Sequence, residues 1–131
     1  MFDSKQIFSI QSEDDFQAIA LEVFRYQAQE NEVYKDFLHF LNVDYTTIQH
    51  TDNIPFLPIQ FFKKHELISG NRPVEKTFTS SGTTGMTTSK HFVTDLALYH
   101  YSLEKCFEQF YGPLSDYTIF ALLPSYLERN G

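Results

Sequence analysis

A hydroxyl-rich segment divides the sequence. Residues Thr77 to Ser89, TFTSSGTTGMTTS, carry hydroxyl groups at nine of thirteen positions and include Gly82 and Gly85. Residues 75–80, which overlap the start of this segment, and residues 90–94, which follow it, have side chains that favour extended backbone. The sequence therefore predicts a strand, a loop and a second strand. The remaining elements have to pack around this strand-loop-strand unit.

Two amphipathic helices are predicted within residues 1–50. In the first, apolar residues recur at intervals of three and four, the spacing of one buried helical stripe; they are Phe16, Ile19, Ala20, Val23 and Phe24. Ser12 is the predicted N-cap of this helix, and the second helix is predicted to start after Asn31 and to end at Asn42. Its buried face is expected to comprise Val33, Phe37, Phe40 and Leu41.

Residues 51–75 are predicted to be irregular, because Pro55 and Pro58 exclude a central strand. Pro58 also suits the first turn of a short helix that begins near Phe61. We expect this segment to place aromatic side chains in the core; they are Phe56, Phe61 and Phe62.

A third helix is predicted from Asp95 to Gly112, capped by the Asp95 side chain, with an apolar face that buries Cys106 among aromatic neighbours. The apolar run from Tyr117 to Pro124 then predicts a strand that is covered on both faces.

This series of elements is typical of an α/β fold. We expect residues 1–131 to form a single domain or a fragment of one, with a helical part (1–50) and an α/β part that carries the loop (51–131).

Composition limits the classes of function. The chain has 131 residues and 42% apolar content, enough for one core, and no apolar stretch long enough to cross a membrane. No signal segment precedes the first helix, so the predicted location is the cytoplasm. A net charge of -7 argues against nucleic acid or an anionic membrane as partner. One cysteine and five dispersed histidines exclude an internal disulfide and predict no metal site.

The loop can be interpreted chemically. Gly82 and Gly85 adopt positive φ at low cost, which allows successive backbone amides to form an anion-binding nest, and the neighbouring hydroxyl groups add donors. The spacing matches neither a Walker P-loop nor a dinucleotide-binding fingerprint. An acidic chain that binds ATP here requires Mg²⁺ to offset the charge, and Lys90 could add one positive charge. A flexible Ser/Thr/Gly connection between two strands has the same composition, and the residues alone leave both interpretations open.

The run TSSGTTG, Thr79 to Gly85, resembles the phosphate-binding signature of the adenylate-forming ligases, the superfamily of acyl-CoA synthetases and adenylation domains. The wider stretches IPFLPIQFFKKHELIS, FTSSGTTGMTTSKHFVTDLALYHYS and LLPSYLERNG resemble its acyl-protein synthetase (LuxE-like) branch. The resemblance covers most of residues 54–131. It implies the fold of the N-terminal portion of an adenylate-forming large domain.

The resemblance also implies a reaction with ATP and Mg²⁺ as cofactors. A carboxylic acid, fatty in this branch, would be activated as an acyl-adenylate and transferred to a thiol, either that of CoA or a protein cysteine. The residues that would surround the β- and γ-phosphates are Ser80, Ser81, Gly82, Thr83, Thr84 and Gly85. Lys90 would be the phosphate-binding lysine, although it follows the last glycine two positions later than in many relatives.

Other family motifs, for adenine, ribose and the catalytic lysine, have no equivalents within the 131 residues. By the resemblance, this chain is therefore expected to be an N-terminal segment without full activity. In the LuxE-like branch the cysteine that accepts the acyl group lies late in the sequence, so the resemblance does not assign that role to Cys106. The alternative function is a non-catalytic module that binds nucleotide phosphate or a protein partner, including a second copy of itself.

Overall fold

The computed structural model describes residues 4–80, 88–120 and 122. The chain divides into two compact units at residues 100 and 101, a boundary that falls within its last helix. The helices and strands are α1 (Glu13–Glu30), α2 (Glu32–Phe40), α3 (Phe61–Lys64), β1 (Lys76–Thr79), β2 (Lys90–Val93) and α4 (Leu96–Tyr111). Short 3₁₀ turns lie at Ser4–Ser9, Tyr45–Thr47, Thr51–Asn53 and Leu114–Asp116.

Both predicted N-caps in the helical part are confirmed. Ser12 accepts a hydrogen bond from the Asp15 amide at 3.1 Å, and the Asp15 carboxylate accepts one from the Gln11 amide at 3.2 Å. The hydrogen bonds with Ser12 and Gln11 lower the pKa of Asp15 below its ordinary value. Asn31 has extended backbone angles, which end α1, and its side-chain oxygen caps α2 by accepting from the Tyr34 amide at 3.0 Å.

The core of the first unit lies between α1 and α2. Its buried members are Phe24, Ala28, Tyr34 and Leu38. The Phe24 and Tyr34 rings meet edge to face at 6.1 Å, and the Tyr34 hydroxyl donates to the Pro55 carbonyl at 2.8 Å. Burial raises the pKa of Tyr34 to about 12. Tyr34 therefore connects the helical pair to the irregular segment that follows.

The buried faces of the first two helices differ from those predicted. On α1 the buried residues are Leu21, Phe24 and Ala28, whereas Phe16 is 47% exposed. On α2 they are Tyr34 and Leu38, whereas Phe40 is 81% exposed. Periodicity showed that each helix has an apolar face, but the contact between the two helices decides which residues of that face are buried.

The irregular segment contains the expected short helix, α3, and the Phe61 amide donates to the Pro58 carbonyl at 3.0 Å. The Phe61 ring contacts Phe37 of α2 at 5.8 Å, in agreement with its predicted role in packing. The prediction for Phe56 is wrong, because its side chain is 78% exposed. At the end of the segment, Gly70 has a φ of +76° and its amide donates to the Glu30 carbonyl at 2.8 Å, which returns the chain to the end of α1.

The two strands predicted to flank the loop are present as an antiparallel pair. Strands β1 and β2 align Lys76 with Val93 and Thr79 with Lys90, and Val93 is buried in the first unit. The third helix is also present: Asp95 accepts from the Leu98 amide at 2.8 Å, and Gly112 follows the helix with a φ of +86°. Helices with a small two-stranded sheet are compatible with the expected α/β class.

Two predictions fail in the second unit. Cys106 is exposed rather than buried, and α4 contains no buried residue. Residues 117–120 and 122, the described part of the predicted buried strand, pair with no other strand among the described residues, and Phe120 is 90% exposed. An apolar run becomes a covered strand only where other strands flank it, and hydropathy alone carries no information about those partners.

Candidate functional site

The base of the hydroxyl-rich loop is closed by a pair of serines. Beyond the last strand pair, Thr79 and Lys90, the Ser80 amide donates to the Ser89 carbonyl at 3.0 Å. In the other direction, the Ser89 amide donates to the Ser80 side-chain hydroxyl, also at 3.0 Å. The two residues thus fix where the loop leaves the sheet, and we call them the serine clasp.

Two of the seven residues predicted to bind phosphate lie in the described part of the chain. Ser80 accepts the Ser89 amide through its oxygen, and its own O–H remains able to donate. Lys90 is exposed at the end of β2 that adjoins the loop. The other five lie outside the described residues: Ser81, Gly82, Thr83, Thr84 and Gly85.

Successive side chains in a strand point to opposite faces, so Lys90 and His91 lie on opposite faces of the two-stranded sheet. His91 shares the face of Val93, which is buried, and its side chain lines an apolar cavity of the first unit. The Lys90 side chain is therefore on the face away from this cavity.

The hairpin is anchored to the first turn of α4. The Phe78 ring stacks on Tyr99 at a centroid distance of 5.0 Å. The Glu75 carboxylate accepts the Leu96 amide at 2.8 Å, which satisfies one of the unpaired donors at the helix N-terminus. Both contacts hold the strand that leads into the loop against α4.

Sequence reasoning missed two residues of this arrangement, Ser89 and Glu75. Ser89 could have been found from the antiparallel register, because a strand pair that ends at Thr79 and Lys90 places Ser80 opposite Ser89. Glu75 carries no such signal, since its contact with the Leu96 amide depends on the position of α4 beside the hairpin.

The described residues contain no group of three or more His, Cys, Asp or Glu side chains placed to hold a metal ion. Among the same residues, no helix has the length and apolarity needed to cross a membrane.

These features define a mixed α/β protein in which a short hairpin, fixed to a helix, carries a hydroxyl- and glycine-rich loop. The family model of the acyl-protein synthetases, LuxE, matches residues 2–98, a range that includes both helices of the core and the whole hairpin. The chain therefore belongs to the LuxE family of acyl-protein synthetases. No curated protein and no solved structure matches it.

Proposed function

We propose that this chain takes part in the ATP-dependent activation of a carboxylic acid as an acyl-adenylate, from which the acyl group passes to a thiol. The observation that carries the proposal is the match to the acyl-protein synthetase family, which extends through the hairpin and its loop. The serine clasp supports it, because a phosphate-binding loop needs its two ends held at a fixed separation.

In this reaction an oxygen of the carboxylate attacks the α-phosphorus of ATP, and pyrophosphate leaves with the electrons of the broken P–O bond. The proposed role of Ser80, Ser81, Gly82, Thr83, Thr84 and Gly85 is to donate hydrogen bonds to the β- and γ-phosphates and so to stabilise the departing pyrophosphate. The thiol, of CoA or of a protein cysteine, then attacks the acyl carbonyl as its thiolate, and AMP leaves.

The net charge of the chain bears on whether ATP binds alone or as its magnesium complex. The chain has a net charge of -7, which opposes the approach of free ATP. The nucleotide substrate is proposed to be MgATP, because the ion offsets part of the phosphate charge and is held mainly by the phosphates and water. Lys90 would supply one further positive charge near the end of the loop.

The test is acid-dependent exchange between ATP and labelled pyrophosphate, with fatty and aryl acids compared and MgATP binding measured in parallel. We expect MgATP binding that Gly82→Val abolishes, because a β-branched side chain would disrupt the anion nest. Acid-dependent exchange is expected to be weak, because the chain lacks equivalents of the family's other active-site motifs. Gly131→Val, at the last position of the sequence, controls for the added side chain. Binding of MgATP without exchange for any acid would refute the ligase function and leave a nucleotide-binding module. Absence of both would refute the phosphate loop itself.

A protein-interaction module is the second candidate. The observation that favours it is the set of exposed apolar side chains in the second unit, among them Phe110, Phe120 and Leu122. Self-association without nucleotide binding would support this function in place of the first.

A further inference from the structure

A group of polar contacts joins the hairpin to the first turn of α4, and we call it the hairpin-helix junction. Its members are Arg72, Glu75, Asp95 and Leu96, all in the first unit. The Glu75 carboxylate accepts the Leu96 amide at 2.8 Å, and the Arg72 guanidinium donates to the Asp95 carboxylate at 3.2 Å. The junction lies at the end of the two strands opposite the hydroxyl-rich loop, so it determines how the hairpin is mounted on the helix.

Glu75 is held from two sides. Its backbone amide donates to the Val93 carbonyl at 2.8 Å, beside the strand pair formed by Lys76 and Val93. Val93 is only 6% exposed, which fixes this end of the hairpin in the first unit. The Glu75 carboxylate then binds the first residue of α4, Leu96. One residue therefore connects the start of β1, the end of β2 and the start of α4.

The two carboxylate contacts of the junction differ in what they have to order. The Arg72–Asp95 pair joins two side chains that are 61% and 36% exposed, so side-chain entropy and screening by water offset most of the attraction. The Glu75 contact orders a single side chain, because the Leu96 amide is already fixed in the helix. This amide has no intrahelical acceptor, and a carboxylate beside it also interacts favourably with the helix dipole. Glu75 is therefore the main connection between hairpin and helix.

The N-terminus of α4 is not itself open to a phosphate. The Leu96 amide is paired with Glu75 and the Leu98 amide with Asp95, at 2.8 Å in both cases. An anion from solution would have to displace carboxylates that the chain already places there. Glu75 also precedes Ser80 by five positions, roughly 17 Å of extended strand, which is too far to touch a phosphate at the base of the loop. The junction can act on that base only through the strands.

We propose that Glu75 is a positioning residue of the phosphate loop, which holds the serine clasp in the geometry that binds MgATP by tying β1 to α4. The effect on MgATP rests on the proposed function, whereas the connection between Glu75 and the clasp does not. Linked equilibria are reciprocal, so MgATP must strengthen the junction by the same factor by which the junction strengthens MgATP binding. Any change that opens the junction then lowers the affinity for the nucleotide.

The first experiment uses no nucleotide. Hydrogen exchange is measured by NMR at the Leu96 amide and at the clasp amides of Ser80 and Ser89. Glu75→Ala should accelerate exchange at Leu96 by roughly tenfold or more, the equivalent of one hydrogen bond to a charged group, and exchange at the clasp by about twofold or more. Ser12→Ala removes the cap of another helix of the same unit, away from the hairpin, and should leave exchange at the clasp unchanged.

The second experiment measures MgATP affinity by calorimetry. Glu75→Ala should weaken binding by roughly fivefold or more, the lower end of the usual coupling between linked sites. Loss of an acidic side chain from an acidic protein would by itself favour MgATP, so the expected weakening runs against the general effect of charge. Glu75→Gln keeps an oxygen that accepts the Leu96 amide and should restore most of the affinity. Glu75→Asp keeps the charge on a shorter side chain and should not.

Reciprocity supplies a measurement on which a merely structural cap has no influence. In the unmodified chain, saturating MgATP should slow exchange at the Leu96 amide by the same factor by which Glu75→Ala weakens MgATP binding. A residue that only stabilises the start of α4 would leave the local exchange at Leu96 independent of the nucleotide. Exchange at Leu96 that MgATP does not slow, although MgATP binds, therefore overturns the positioning role.

The outcomes separate this inference from the proposed function. If the unmodified chain binds no MgATP but Glu75→Ala accelerates exchange at the clasp, the proposed function fails and the connection between Glu75 and the clasp stands. If MgATP binds and Glu75→Ala affects the clasp and the affinity no more than Ser12→Ala does, the inference fails and the proposed function stands. The inference also fails if Glu75→Asp binds MgATP as tightly as the unmodified chain and Glu75→Gln does not, because charge rather than position would then decide.

Discussion

At the scale of single residues, Tyr34 combines burial with one hydrogen bond. Its side chain is 7% exposed, and its hydroxyl donates to Pro55 of the irregular segment. Tyr34→Phe removes the donor and leaves the Pro55 carbonyl unpaired, so we expect a loss of about 1 kcal/mol in the free energy of unfolding at neutral pH. Urea denaturation measures it, with Tyr111→Phe, an exposed tyrosine, as control.

The same residue predicts a dependence on alkaline pH. Burial raises the pKa of Tyr34 from 10.0 to about 12, so the folded state favours the protonated phenol. The contribution of the protonated Tyr34 to the free energy of unfolding is complete below pH 10 and is lost as the pH rises toward 12. Tyr34→Phe should therefore lose less stability than the unmodified chain over this interval. Equal losses in the two proteins would mean that Tyr34 ionises as readily in the folded state as in the unfolded one.

The serine clasp gives a second prediction at this scale. Ser80→Ala removes the acceptor of the Ser89 amide, and hydrogen exchange at that amide should accelerate by roughly two- to tenfold, the equivalent of one net hydrogen bond. Under the proposed function, MgATP affinity should fall as well, and Ser80→Thr should restore both quantities because it keeps the hydroxyl. Unchanged exchange at Ser89 in Ser80→Ala would show that the clasp does not hold the loop.

At the scale of elements, the start of α1 depends on two hydrogen bonds: the Asp15 amide donates to the Ser12 hydroxyl, and the Gln11 amide donates to the Asp15 carboxylate. Ser12→Ala should destabilise the first unit by about 1 kcal/mol, as loss of an N-cap does, and Ser12→Asp should retain most of the stability. Thermal unfolding followed by circular dichroism measures both variants. A Ser12→Ala chain as stable as the unmodified one would contradict the assigned cap.

Asp15 makes this cap sensitive to acid. Its hydrogen bonds with Ser12 and Gln11 lower its pKa below the ordinary 3.8, so its contribution to stability is present above that pH and is lost as the pH falls through the lower folded value. Asp15→Asn should remove this part of the acid dependence. Asp14→Asn, its exposed neighbour in the first turn, should leave that part in place.

The elements also show which features the sequence could predict. The caps at Ser12, Asn31 and Asp95 were found correctly because each depends on residues within one helical turn. The hairpin was found because its two strands flank a segment too polar to be buried. The exposure of Cys106 and of the apolar run after Tyr117 could not be found, because burial depends on what packs against an element.

The candidate site also has parts that the sequence could predict and parts that it could not. Its loop residues were proposed from a local resemblance, which needs only the letters of the motif, and they remain a prediction. The cavity was not predicted, because its walls come from α1, the irregular segment and β2, which lie far apart in the sequence.

At the scale of the whole molecule, two opposing properties govern association. The net charge of -7 makes two copies of the chain repel each other, whereas exposed apolar side chains in the second unit favour contact. Salt screens the repulsion over a distance of about 10 Å at 0.1 M and leaves apolar contact intact. The balance between monomer and oligomer should therefore shift with ionic strength.

Sedimentation velocity over a range of protein and salt concentrations tests this balance. We expect self-association that strengthens with salt and that Phe120→Lys weakens, because the substitution replaces an apolar ring by a strongly hydrated charge at an exposed position. Phe40→Lys makes the same chemical change at a similarly exposed phenylalanine in the first unit and should have little effect. If both variants weaken association equally, the apolar surface of the second unit is not the specific site of contact, because the added positive charge lowers the repulsion between acidic chains and would by itself strengthen association.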